Sequence, residues 1–175
     1  IVKPINATGA WWTWHKDLSN TSQGFLQLNT SAAEATNSSL WDNASPVSAT
    51  TINANTAYIN YATDNYIAYC FHSVSGYSKF GTYNGTGSAN NAITLGFRPA
   101  FLMVKRTNST EDWFMFDSTR NPLNTVTQRL KANTSDAESN QDGDDVTSLD
   151  SDGFTVGENA RVNGNNDTFI YMAFA

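Results

Sequence analysis

Trp11-Trp12-Thr13-Trp14 and Trp113-Phe114-Met115-Phe116 decide how this chain is read, because they are one strand met twice. Ile1-Val2-Lys3 and Asn6-Ala7-Thr8 precede the first as Met103-Val104-Lys105 and Asn108-Ser109-Thr110 precede the second, at one shared offset. Further on, Leu26-Gln27-Leu28-Asn29-Thr30-Ser31-Ala32-Ala33-Glu34 returns as Leu130-Lys131-Ala132-Asn133-Thr134-Ser135-Asp136-Ala137-Glu138. Tyr66-Ile67-Ala68-Tyr69-Cys70-Phe71 returns as Phe169-Ile170-Tyr171-Met172-Ala173-Phe174. The offset drifts by only one or two residues, as in a tandem duplication with short loop insertions.

Copy two opens upstream of Met103 with Gly96-Phe97-Arg98-Pro99-Ala100-Phe101-Leu102, whereas copy one begins at Ile1, opposite Met103. The first strand of copy one is therefore expected to be cut short, as in a processed product or a fragment of a longer array. The expected division is copy one at 1–80, a connection at 81–95 and copy two at 96–175. The connection holds Gly81-Thr82-Tyr83-Asn84-Gly85-Thr86-Gly87-Ser88-Ala89-Asn90-Asn91, which reads as a linker or a tight hairpin.

Short strands are read in copy two at about 101–107, 113–117, 126–132, 146–149, 153–156 and 168–174, each bounded by Asn, Asp, Gly or Pro. Copy one gives the matching series at 1–4, 11–15 and 24–29, a weak pair around Val47 and Ile52, and 66–72. Alternation puts Trp12, Trp14, Phe114 and Phe116 on a core face. The last strand of each copy is apolar on both faces, which predicts a central, doubly covered position. No 3.6-residue stripe competes, so the fold class is all-β: tandem small antiparallel β-sandwich units, with one continuous lectin-like sandwich built from both copies as the alternative.

The formal net charge is −6, and neither half carries a basic patch. That argues against nucleic acid or an anionic membrane as partner, and no apolar run is long enough for membrane insertion as a helix. The lone Cys70 aligns with Ala173 and reads as a small buried residue. Asn-x-Ser/Thr sequons at Asn6, Asn20, Asn29, Asn37, Asn43, Asn84, Asn108, Asn133 and Asn166 mark exposed polar loops and are candidate N-glycosylation sites.

Catalytic signals are sparse, and no cofactor motif is present. His15 and His72 lie in no metal-ligand spacing. Glu34 and Glu138 are the acid pair that aligns between copies, better read as loop-fixing carboxylates than as glycosidase acids. The acidic run 136–152 offers Asp150 and Asp152, in Asp150-Ser151-Asp152-Gly153, as candidate calcium ligands, with a solvated turn as the preferred reading. Trp11, Trp113, Trp41 and Tyr83 are candidate aromatic contacts, either within an interface or with a glycan. For Trp11 and Trp113, packing between copies or subunits comes first.

Four phrases carry a resemblance: 97–106 from Phe97-Arg98-Pro99-Ala100, Phe116-Asp117-Ser118-Thr119-Arg120, Ser148-Leu149-Asp150-Ser151-Asp152-Gly153-Phe154-Thr155-Val156-Gly157, and Tyr66–Phe71 followed by Gly76-Tyr77-Ser78-Lys79-Phe80-Gly81. Together they resemble a repeated β-domain of phage and marine viral virion-associated proteins of the tail-fibre type. The resemblance implies a virion or extracellular location, self-association into a homo-oligomer or fibre, contact with a host surface glycan, and no catalytic residue. Two other readings stand beside it: a subunit of an extracellular filament completed by a neighbour's strand, and a polysaccharide hydrolase.

Overall fold

The duplication is carried into the order of the strands. The computed structural model describes residues 1–41, 47–48, 50–55, 58–122, 126–140 and 145–175. Copy one forms β1 (Val2–Pro4), β2 (Trp12–Thr13), β3 (Gly24–Gln27), β4 (Ala35–Thr36) and β5 (Tyr66–Ala68), in a sheet ordered β4-β3-β2-β1-β5. Next come β6 (Ser78–Asn84), β7 (Asn91–Thr94), β8 (Phe101–Arg106), β9 (Trp113–Asp117), β10 (Gln128–Lys131), β11 (Ser139–Asn140), β12 (Val146–Asp150), β13 (Gly153–Val156), the short helix α1 (Ala160–Asn163) and β14 (Thr168–Phe174). Their large sheet is ordered β11-β10-β9-β8-β14-β6, and a small one β12-β13-β7. With β6 set aside, the two five-strand orders are the same, and every pairing is antiparallel.

Copy two is a complete sandwich because its strands alternate toward the small sheet. Leu102, Val104, Phe114, Phe116, Phe169, Tyr171 and Ala173 face Val146, Leu149, Phe154 and Val156 in one core. β14 is central, paired along its length with β8 and β6. Its odd residues enter that core, while Ile170 and Met172 enter a second cluster on the other face. Burying a phenylalanine of this kind contributes roughly 2–3 kcal/mol.

Copy one keeps a separate, smaller core of Val2, Leu40, Trp41 and Ile59, with Trp12, Trp14, Phe25 and Tyr66 packed against it. Where copy two has its small sheet, the described residues of copy one show two isolated antiparallel bridges, Trp41 to Ala54 and Val47 to Ile52. The expectation that its last strand is central is corrected. β5 lies at the end of its sheet, and Ile67, Tyr69 and Phe71 are 39%, 41% and 48% exposed, because no counterpart of β6 covers that edge among the described residues. Cys70 is likewise exposed rather than buried, whereas Ala173 is held between β8 and β6.

The division at residues 80 and 95 is also corrected. Ser78–Asn84 pairs with β14 from Phe174 to Thr168, and Asn91–Thr94 pairs with β13, so the Gly-rich stretch crosses between the two sheets of copy two. Its glycines serve close approach: a Cβ at Gly85 would strike the Gly164 carbonyl, and Gly87 adopts φ 66° beside Asn165. Asn163 holds this crossing, with its Oδ1 accepting from Thr86 N at 2.9 Å and from Asn91 Nδ2 at 2.9 Å. The junction between copies is instead the turn before β6, where Val74 bridges Ser78 and Gly76 adopts φ 73°.

The two large sheets meet through their outer faces. Leu18, Leu26 and Leu28 of copy one pack on Met103, Trp113, Met115, Ile170 and Met172 of copy two. Backbone hydrogen bonds from Glu34 N to Thr107 O at 2.7 Å and from Glu111 N to Ser31 O at 2.9 Å tie the rim of this contact. The copies are therefore fastened face to face.

Candidate functional site

Where the two sheets diverge past this contact they leave a cavity of about 760 Å³. Copy one lines it with Trp14, His15, Tyr69 and Phe71, and copy two with Phe80, Met103, Trp113, Ile170 and Met172. The wall continues around β5 to Cys70, Trp41, Val47 and Ile52, on the side of copy one's own core. A lining this apolar suits an aromatic or aliphatic group rather than an ion.

His15 is the buried titratable group on the wall. Its Nδ1 accepts from Asp17 N at 3.2 Å, while Nε2 is buried without a hydrogen bond of normal geometry. Burial pulls the imidazole down to about 4, against the opposing pull of Asp17. The unfolded chain thus binds a proton near pH 6.5 that the folded chain refuses until about 4. Stability is full above pH 6.5 and falls as pH drops through that window, by on the order of 3 kcal/mol from this group. His15→Phe should flatten the difference in unfolding free energy between pH 7 and pH 4; an unchanged slope would assign it to other groups.

The candidate aromatics do not share one surface. Trp11 is half-buried on the outer face of sheet one, stacked on Tyr69 with ring centres 6.2 Å apart. Trp113 is buried between the copies, its Nε1 donating to Gln27 O at 3.1 Å. Trp41 and Tyr83 are corrected as surface contacts. Trp41 is 1% exposed with Nε1 donating to Gly24 O at 3.0 Å, and Tyr83 is 8% exposed with its hydroxyl donating to Val162 O at 2.6 Å. Each has a single polar atom that one carbonyl satisfies, so polar sequence neighbours did not keep it outside.

The acidic candidates act locally. Asp150 accepts from the Ser148 and Thr155 hydroxyls, both at 2.7 Å, and fixes the β12–β13 turn. Asp152 is exposed, and its carbonyl accepts from Leu95 N and Gly96 N. Among the described residues no three His, Cys, Asp or Glu side chains gather as a metal cage; Asp142 and Asp144 of the acidic run lie outside them. Glu34 accepts from Ser19 N at 3.0 Å and Asn20 N at 3.1 Å, and Glu138 lies 3.4 Å from Arg120 in the corresponding loop of copy two.

Several sequon asparagines hold turns. Asn29 and Asn133 are matched, accepting from Trp11 N at 2.9 Å and Trp113 N at 2.8 Å. Asn6 accepts from Asn65 N, Asn20 from Ser22 N and Gln23 N, Asn37 from Ser39 N, and Asn108 from Thr168 N. Asn84 and Asn166 are exposed, and Asn43 lies outside the described residues.

The cavity escaped sequence reading, since it arises from the packing of two sheets distant in the chain. Lys105 left a fainter signal, its repetition as Lys3. Each ammonium donates to the next residue's carbonyl, Pro4 at 2.5 Å and Arg106 at 2.6 Å, and burial pulls Lys105 down to about 8.

Fold and site together define an all-β, two-copy repeat protein with an apolar cavity where the copies meet. The chain belongs to the family described as Domain of unknown function (DUF7483), which matches residues 1–175. No curated protein and no solved structure matches it. No helix among the described residues is long and apolar enough to cross a membrane.

Proposed function

We propose that the chain is a non-enzymatic structural and adhesion module, a segment of a virion fibre or spike in which repeats are stacked and present aromatic side chains to a host glycan. The observation that carries this reading is the face-to-face fastening of the copies through Trp113 and its neighbours, which makes the tandem a stiff unit suited to reach. Tyr58, Tyr61 and Tyr77, at 45%, 50% and 61%, are among the exposed aromatics available for contact outside. A second reading, a subunit of an extracellular filament completed by a neighbour's strand, is favoured by the uncovered edge of β5.

Negative-stain electron microscopy of the purified chain, with glycan-array binding in parallel, tests the proposal. Regular oligomers or fibres and retention on a glycan are expected. A monomer that releases reducing ends from a polysaccharide would sink it.

A further inference from the structure

We propose that Lys105 is a proton-operated latch between the two copies, one that tightens the rim of their contact when its amine gives up its proton. The device belongs to the contact between the copies and serves any reading of the tandem.

Lys105 alternates with Met103 on the face of β8 that meets copy one, and its neighbours across the ladder there are Trp113 on β9 and Ile170 on β14. A lysine in such company is unusual, and the whole residue is only 1% exposed. Its Nζ donates to Arg106 O at 2.6 Å and, across the junction, to Ser31 O at 3.4 Å. Ser31 O also accepts from Glu111 N at 2.9 Å, and Glu34 N donates to Thr107 O at 2.7 Å, so the loop of copy one that carries Ser31 is pinned beside the amine at two points. The charged groups nearby are engaged elsewhere. Asp112 accepts from Lys131 at 3.0 Å and from the Asn133 amide at 2.7 Å, Glu111 accepts from Asp112 N at 3.0 Å, and Arg106 pairs with Asp167 at 2.7 Å. In copy one, the Glu34 carboxylate is taken up by Ser19 and Asn20.

An ammonium brings three donors and a charge into this place, where it meets two carbonyls; a neutral amine keeps two donors and brings no charge. Burial pulls Lys105 down from 10.5 to about 8, against the opposing pull of Glu111 and Asp112 and with a smaller push from Arg106 in the same direction. When the loop of copy one lifts, the amine regains water and its ordinary affinity for a proton. The open rim therefore binds a proton between about pH 8 and 10.5 that the closed rim refuses. Closure is weakest below that window, gains as pH rises through it and levels off above it. Met103, Trp113 and their apolar partners hold the copies together at any pH, so the response is confined to the rim.

Hydrogen exchange of the full chain, divided by the intrinsic rate at each pH, reads the opening of the rim in segments 31–36 and 107–113. Opening should fall about ten-fold between about pH 7.5 and 9.5 in the native chain. Lys105→Met has no proton to lose, so its rim should stay closed without that slope. Lys105→Arg keeps its charge throughout and should be as open at the higher pH as at the lower. A second measurement follows the Lys105 Cε signal by NMR in lysine-labelled chain, assigned by its loss in Lys105→Met. The amine should titrate near 8 in the native chain. It should titrate about one unit higher in Glu34→Pro, which deletes the N–H that copy one donates to Thr107. An unchanged slope in Lys105→Met overturns the proposal. So does a midpoint that Glu34→Pro leaves where it was, which would make the burial of the amine a property of copy two alone.

Discussion

Asp145→Ala should destabilise the chain by about 3–5 kcal/mol. The Asp145 side chain is wholly buried and paired with Arg129 Nη1, and the Arg129 guanidinium also lies 5.2 Å from the centre of the Phe114 ring. Removing the carboxylate leaves a cation in the core of copy two with that ring and the Ser139 hydroxyl, 3.3 Å from Nε, in place of its counter-charge. Removing both charges is different, because apolar residues of similar volume need no partner. Arg129→Leu with Asp145→Leu should therefore recover most of the loss, as measured by urea unfolding. A double variant as unstable as the single one would show that packing at these positions, not charge, sets the cost. The same position in copy one is Phe25, which meets Trp12 edge-on at 5.0 Å, so one site is met once by an aromatic pair and once by a cation over a ring.

Trp113→Ala should cost about 3–5 kcal/mol, the usual range for deleting a buried tryptophan. Its effect on cooperativity is more informative than its size. The indole is the largest side chain in the contact between the sheets, and Gln27 O loses its donor when it is gone. Each copy keeps its own core, so the variant should unfold in two steps, with copy one melting first because its core is smaller and open at β5. Trp11→Ala, at the matching position but half-exposed, should cost far less and leave one transition. A single transition in both variants would mean that the copies are coupled elsewhere.

Much of the frame was legible in the chain. The strands at Trp113–Asp117 and Thr168–Phe174 could be placed from alternation because their residues face two buried surfaces. The repeat itself gave the matching strands of copy one. What stayed hidden depended on partners far away in sequence. β6 looks like a linker because Gly81 and Gly85 are read locally as flexible, whereas they are present to let Tyr171 and Gly164 come close. Cys70 and Ala173 align, yet one is exposed and the other buried, because burial is set by the neighbouring strand rather than by the residue. Trp41 and Tyr83 were misplaced for the same reason, each finding its carbonyl, Gly24 or Val162, far along the chain. Asp150 was easier, as its partners Ser148 and Thr155 lie in the same hairpin.

The pairing of Ser78 with Phe174 has a mechanical consequence. Copy two is entered at one end of β6 and left at the same end of β14, on neighbouring strands that run in opposite directions. A pull through those two points loads the ladder at its last rung and parts the bonds in succession, as a zipper opens, rather than shearing them together. Copy two would then give way early under tension, paying out chain and re-closing when the load falls, and a string of such units would stretch before it broke.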